Sequence, residues 1–448
     1  MRTSQQGHYV ALSYCWGGDQ HTKLCRNTLQ PWSLGTSITR LPQTIEDAIT
    51  VTRAIGYRYL WVDSLCIVQD DPEDVTREVE KMAQVYESAS VTVSAASAKS
   101  SQEGFLVRRV VPAAHQLAFK IRFRCPKGKI GCISFVRYDM EYHTRQEPIH
   151  QRAWTMQEAV LSSRLLIYGS QQLRWVCRSL RESETIGWYD SQFDEDLDPS
   201  LELSVFGWMR IVKSYTSRTL TLHSDKLIAI AGVAQKYGEA MQAEYLAGLW
   251  NTNIASQLLW QKVPEFEKPL GDRSLDLKPR PSQYRAPSWS WASVDGAVGW
   301  PGYPRDFSTV AIVKSHRIDL VTPGALYAHV RGGSITIQGR LQPVLWSGAY
   351  ITFPQFAGNK AAEFYGAIPD ALGDNYYSAG IGDKSYVRCL EVAVKLNGSV
   401  YVAGLLLVPA GTCYRRVGIF HSWISKDYKY HIWQEYFGQT ACQEIIII

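Results

Sequence analysis

Residues 41–97, "LPQTIEDAITVTRAIGYRYLWVDSLCIVQDDPEDVTREVEKMAQVYESASVTVSAAS", switch between helical spacing and short apolar runs, and that switching decides the fold class. Ile45, Ala48, Ile49 and Thr52 fall on one helical face, Thr44 and Asp47 have the spacing of a capping box, and Gly56 marks a helix stop. The run 59–62 then reads as a strand buried on both faces, broken by Asp63. Asp71 as N-cap, Pro72 at the first helical position and acids in the first turn open a second helix, whose apolar stripe is Val75, Val79, Met82 and Tyr86. The β-branched run 91–97 follows as another strand. With the apolar run 9–12 ahead of them, these segments predict an α/β fold: a mostly parallel sheet flanked by helices.

Ligands of such sheets sit outside the carboxyl ends of the strands. The stretch "YVALSYCWGG" (9–18) ends a strand in Ser13, Tyr14, Cys15 and Trp16, and Asp63 ends another, so these side chains are expected to share one crevice. Further on, "QRAWTMQEAVLSSRLLIYG" (151–169) predicts a helix from about Arg152 that places Trp154 and Glu158 one turn apart on one face, then a strand over 165–168. Arg152 and Arg164 are the obvious partners for Glu158.

The rest of the chain divides by pattern. A helical middle covers about 200–265, its clearest helix at 223–238; "GDRSLDLKPRPSQYRAP" (271–287) reads as a linker; a β-rich part follows, with Asn397-Gly398 as a hairpin turn between alternating runs. The expected division is an α/β domain over 1–180, a helical segment over 181–270 and a β-rich C-terminal domain over 285–448.

Composition bounds the function. The charge is +5 over 448 residues, too weak to argue for nucleic acid, and "RFRCPKGK" (122–129) reads as a solvated hairpin turn. The nine cysteines are scattered with no C-x-x-C pair, so they suggest neither a disulfide framework nor a metal site, and Cys15 and Cys66 lack a neighbouring His to activate them as nucleophiles. Neither G-x-G-x-x-G nor G-x-x-x-x-G-K is present. With no charged-then-apolar leader and no long apolar run, a cytoplasmic protein that does not enter a membrane is expected. The 15 Trp and 25 Tyr suit thick cores or an apolar pocket, and "SWSWASVDG" (288–296) reads as a packed strand and turn.

Three blocks, 9–18, 41–97 and 152–169, resemble the fungal heterokaryon-incompatibility (HET) domain family, with Ala159 standing where that family usually has a basic residue. The resemblance implies a role in self/non-self recognition and cell death, and a fold related to TIR domains, some of which consume NAD with a Glu that follows a Trp in a helix. That pattern selects Glu158, after Trp154, as catalytic; the strand-end reading adds Asp63 as a second catalytic carboxyl, with Ser13, Tyr14, Trp16 and Trp154 lining the substrate. No cofactor is expected, NAD being a substrate; the expected partner is a small molecule or a regulatory protein. The alternative is a cofactor-independent cyclase or pericyclase of secondary metabolism, holding its substrate in an aromatic pocket on a HET scaffold.

Overall fold

The computed structural model describes residues 7–35, 41–109, 119–124, 128–135, 147–177, 181–183, 202–264, 275, 277–300, 308–347, 350–356, 364–374, 387–397, 399–424 and 428–448. The chain forms two compact units, 1–201 and 202–448.

In the first unit the elements run β1 (Tyr9–Ser13), α1 (Leu29–Ser33), α2 (Gln43–Ala54), β2 (Tyr59–Trp61), α3 (Asp63–Cys66), α4 (Pro72–Ser88), β3 (Val91–Ser94), β4 (Phe119–Arg124), β5 (Ile130–Phe135), α5 (Trp154–Leu161), β6 (Arg164–Tyr168), β7 (Leu173–Cys177) and β8 (Arg181–Ser183). A six-stranded sheet has the order β2-β1-β3-β6-β7-β8. Its first four strands are parallel, while β7 and β8 join as antiparallel additions. The mixed α/β expectation therefore holds for this unit; β4 and β5 pair antiparallel from Phe119↔Phe135 to Arg124↔Ile130, and residues 125–127 of the basic run lie outside the described residues.

The period-2 alternation of β1 splits its side chains between two layers. Val10, Leu12 and Tyr14 pack with Ile45, Ala48 and Val51 of α2. Cys15, beyond the strand end, joins Ile149, Leu165 and Ile167, with Ala159 of α5 against them. The chain leaves β1 for β2 on one side and returns across it to β3 on the other, so the order reverses at β1, the place where open α/β sheets form a crevice.

Two expectations are corrected. β2 is an edge strand paired with β1 alone, and Tyr59 is exposed, so 59–62 is not buried on both faces. The capping box does not form: α2 starts at Gln43 behind Pro42, and Asp47 instead accepts the backbone N–H groups of Phe105 and Leu106 at 2.7 and 2.9 Å. A buried carboxylate finds more donors in that loop than at its own helix end. At α4 the expected cap is present, Asp71 accepting from Glu73 N and Asp74 N. Asp71→Ala is expected to lower the urea midpoint of the full chain, with Asp71→Asn retaining most of the cap.

The second unit holds an eleven-stranded, mainly antiparallel sheet that includes the strands Val387–Asn397, Ser399–Ala410 and Cys413–Ile424. The first two pair antiparallel up to Asn397↔Ser399, so the expected strand pair is present, while Gly398 lies outside the described residues. Trp433 of the helix Tyr428–Gly438 stacks on Phe420 and Phe437 over one face. A second aromatic cluster centres on Trp208, with Tyr237, Tyr245 and Trp250 around it at ring distances of 5.5–6.1 Å. Gly248, at φ 106°, lets its carbonyl accept from both Trp208 and Trp291; a Cβ there would lie 2.7 Å from the Trp291 indole nitrogen.

Helical spacing overstated one segment here. Residues 223–238 are two 3-10 turns followed by an α-helix that begins at Ala231. Tyr215 draws the Lys226 carbonyl into a 2.8 Å hydrogen bond, and the buried Lys226 Nζ donates to Val294 O at 2.6 Å. "SWSWASVDG" likewise contains a 3-10 turn, Trp291–Ser293, in place of a strand, with Trp289 and Trp291 fully buried. Arg280 and Arg285, from the segment read as a linker, are bonded within this unit.

Candidate functional site

At the carboxyl ends of β1 and β2 the chain gathers two carboxyls and a guanidinium. β1 ends in Ser13, 2% exposed, and Tyr14 continues it with its phenol donating to Ser64 Oγ at 2.9 Å. The Gln20 amide donates to the same phenol at 3.0 Å. Trp16 donates its indole N–H to Asp63 Oδ2 at 2.8 Å, and the Ser64 backbone N–H donates to Oδ1 at 2.6 Å. Asp63 is thus held as the first residue of α3 while its carboxyl is claimed by the β1 end. Arg152 reaches across from the other end of the unit's sequence and donates from Nη1 to Tyr14 O at 2.6 Å.

Glu158 lies on α5, 5% exposed, on the layer that faces Ser13 and Tyr86. Burial raises its pKa to about 7; a hydrogen bond from Ser13, the charge of Arg152 and the Tyr86 hydroxyl pull it down, and the Asp63 charge pushes it up. Burial also raises Asp63, against the pull of Arg152 and of the Trp16, Ser64 and Tyr14 hydrogen bonds. Among the described residues Arg152 is the cation that acts on both desolvated carboxyls, which leaves a proton exchangeable near neutral pH, the condition for general acid–base work. Cys15 is buried and its thiol pushed up to about 11, so it is protonated and a poor nucleophile at neutral pH.

The structure brings Ser13, Tyr14, Trp16, Asp63 and Glu158 into one hydrogen-bonded and electrostatic cluster, with Arg152 in the middle. Trp154 is half-buried and opens α5 one turn before Glu158. Sequence reasoning had counted Tyr86 only as part of an apolar stripe, yet its hydroxyl donates to Leu12 O at 3.1 Å and faces Glu158. Ser64 and Gln20 carried no signal of their own. No group of three or more His, Cys, Asp or Glu placed to hold a metal occurs among the described residues. No described helix is long and apolar enough to cross a membrane. Cavities of about 440 and 480 Å³ open on α4 and in the second unit, and none of the cluster residues lines either one.

The first unit is thus an α/β unit with a buried acid pair at its strand ends. Residues 9–158 match the model of the family described as Heterokaryon incompatibility protein (HET), a span that ends on Glu158 and holds every residue of the cluster. Comparison with curated proteins and with solved structures finds no match.

Proposed function

We propose that the first unit is a HET-type effector whose Asp63–Arg152–Glu158 cluster acts on the glycosidic bond of NAD, in a cell-death response governed by a regulatory protein partner. The observation that carries this reading is Glu158 itself, a buried carboxyl with a pKa of about 7, beside Arg152 at the carboxyl ends of parallel strands. As the bond from ribose C1′ to the nicotinamide nitrogen breaks, nicotinamide leaves with the electron pair. The Glu158 carboxylate stabilises the oxocarbenium charge left on the ribose, then takes the proton of the water that adds to C1′. Asp63 and Arg152 set the charge balance around it, and the analogy with TIR domains supports the assignment of the Glu after a Trp.

The cyclase reading ranks second because the aromatic side chains that motivated it fill cores. Trp208, Trp250, Trp260, Trp289, Trp291 and Trp433 are all buried to 2% exposure or less in the second unit. The test is nicotinamide release from NAD by the full-length protein, followed by chromatography. Glu158→Gln is expected to lower the rate by at least about 10²-fold. A wild-type protein that neither turns NAD over nor shows an NAD-induced thermal shift would reject the proposal.

A further inference from the structure

The cavity of about 480 Å³ in the second unit falls in the size range of small-molecule sites. Four arginines line it, Arg280, Arg285, Arg317 and Arg415, together with the acid Asp319 and the chain's last residue, Ile448, whose carbonyl end accepts from Ser288. Two of them build its floor. Arg285, buried, donates to Ala292 O and Val294 O and pairs with Asp295 at 2.9 Å. Arg280 pairs with Asp374 at 2.9 Å and donates to Arg416 O at 2.8 Å.

The other two stand nearer solvent. Arg317 has a side chain 76% exposed and is oriented through Nε, which donates to Asp319 Oδ1 at 2.9 Å. Among the described residues only its Nε has a bonded acceptor, and the two Nη groups are without one. Ser334 is its directly opposed cross-strand partner, so a hydroxyl accompanies the guanidinium on the same face. Arg415 lies 3.6 Å from Asp374 Oδ1 with its side chain 35% exposed. Gly332 shapes this wall: a Cβ there would come within 2.9 Å of Asp319 Oδ2, the group that orients Arg317.

We propose that this cavity binds a small multivalent oxyanion, a phosphate- or carboxylate-bearing metabolite, clamped at the rim by Arg317 and Arg415. A guanidinium fork fixed through Nε presents paired N–H groups that match either anion. The floor arginines are already bonded to carboxylates and carbonyls, which holds their charge in place. This site is independent of the acid pair in the first unit.

Calorimetric titration of the full-length protein at constant ionic strength, with pyrophosphate in one series and citrate in another, tests it. One-site saturable binding of at least one anion is expected, weakened at least tenfold in Arg317→Gln/Arg415→Gln and partly kept in Arg317→Lys. Pyrophosphate alone binding identifies a phosphate ligand, and citrate alone a carboxylate one. Both substitutions are at partly or largely exposed side chains, so an unchanged thermal melt separates lost binding from lost folding. Heats that do not saturate with either anion, or binding that the double variant leaves unchanged, would overturn the proposal.

Discussion

Asp370→Ala is expected to destabilise the second unit by about 3–5 kcal/mol, because it strands a buried guanidinium. Arg416 is 0% exposed and Asp370 1% exposed. The pair is bidentate, Nε to Oδ2 at 2.9 Å and Nη2 to Oδ1 at 3.0 Å. Arg416 also donates from Nη1 to Leu258 O and from Nη2 to Trp260 O, and its guanidinium lies 3.5 Å from the Trp260 ring centre. Removing the carboxylate leaves these neutral acceptors, while Arg280, which contacts Asp370 at 3.5 Å, keeps Asp374 at 2.9 Å as its own partner and remains a nearby like charge. Urea unfolding of the full chain, followed by the tryptophan fluorescence that the buried indoles of this unit dominate, reads the loss. Arg416→Met/Asp370→Leu is expected to recover most of it, since an apolar pair avoids desolvating two ions. A single variant that melts with the wild type would show that the carboxylate does not neutralise Arg416.

That pairing was not legible in the sequence. Arg416 meets a carboxylate 46 residues away and a carbonyl 158 residues away, and no local pattern records either. The sheet of the first unit was legible because its helices declare themselves locally: α4 carries its stripe and its Asp71 cap, and the strands on either side are short apolar runs. Edge position was not, since β2 is apolar in sequence but has a single neighbour. In the site, Ser13 and Asp63 were legible as polar residues at strand ends, and Glu158 through a family resemblance. Arg152 was legible as a partner for Glu158, but its bond to Tyr14 O, 138 residues away, was not. Tyr86 shows why: a phenol at stripe spacing buries its ring as a leucine would, and only the fold shows where its hydroxyl ends up. Aromatic richness misled in the same way, since core and pocket draw on the same residues.

Glu158→Gln is expected to stabilise the first unit at alkaline pH and to leave it unchanged in acid, the reverse of an ordinary buried substitution. The folded protein holds the Glu158 proton up to about pH 7, whereas a free Glu loses it near 4.5. Between those values the folded state binds more protons than the unfolded chain, so stability falls as pH rises. The contribution is complete below about 4.5 and gone above about 7, a difference of about 3 kcal/mol. Gln has nearly the same shape, still accepts from Ser13, and never ionises. Melts of the first unit should therefore coincide for the two proteins at pH 5 and diverge in favour of Gln by pH 8. Burial raises Asp63 in the same direction, so a smaller fall with pH should remain in Glu158→Gln and shrink further when Asp63→Asn is added. If the wild type instead gains stability from pH 5 to 8 and Gln removes that gain, Arg152 holds Glu158 ionised and the carboxyl has no proton to exchange near neutrality. The same protonation links stability to the proposed chemistry: a carboxyl that is costly to ionise is a base held ready at the expense of the fold, and a gain in stability from Gln together with loss of NAD cleavage would place both effects on one atom group.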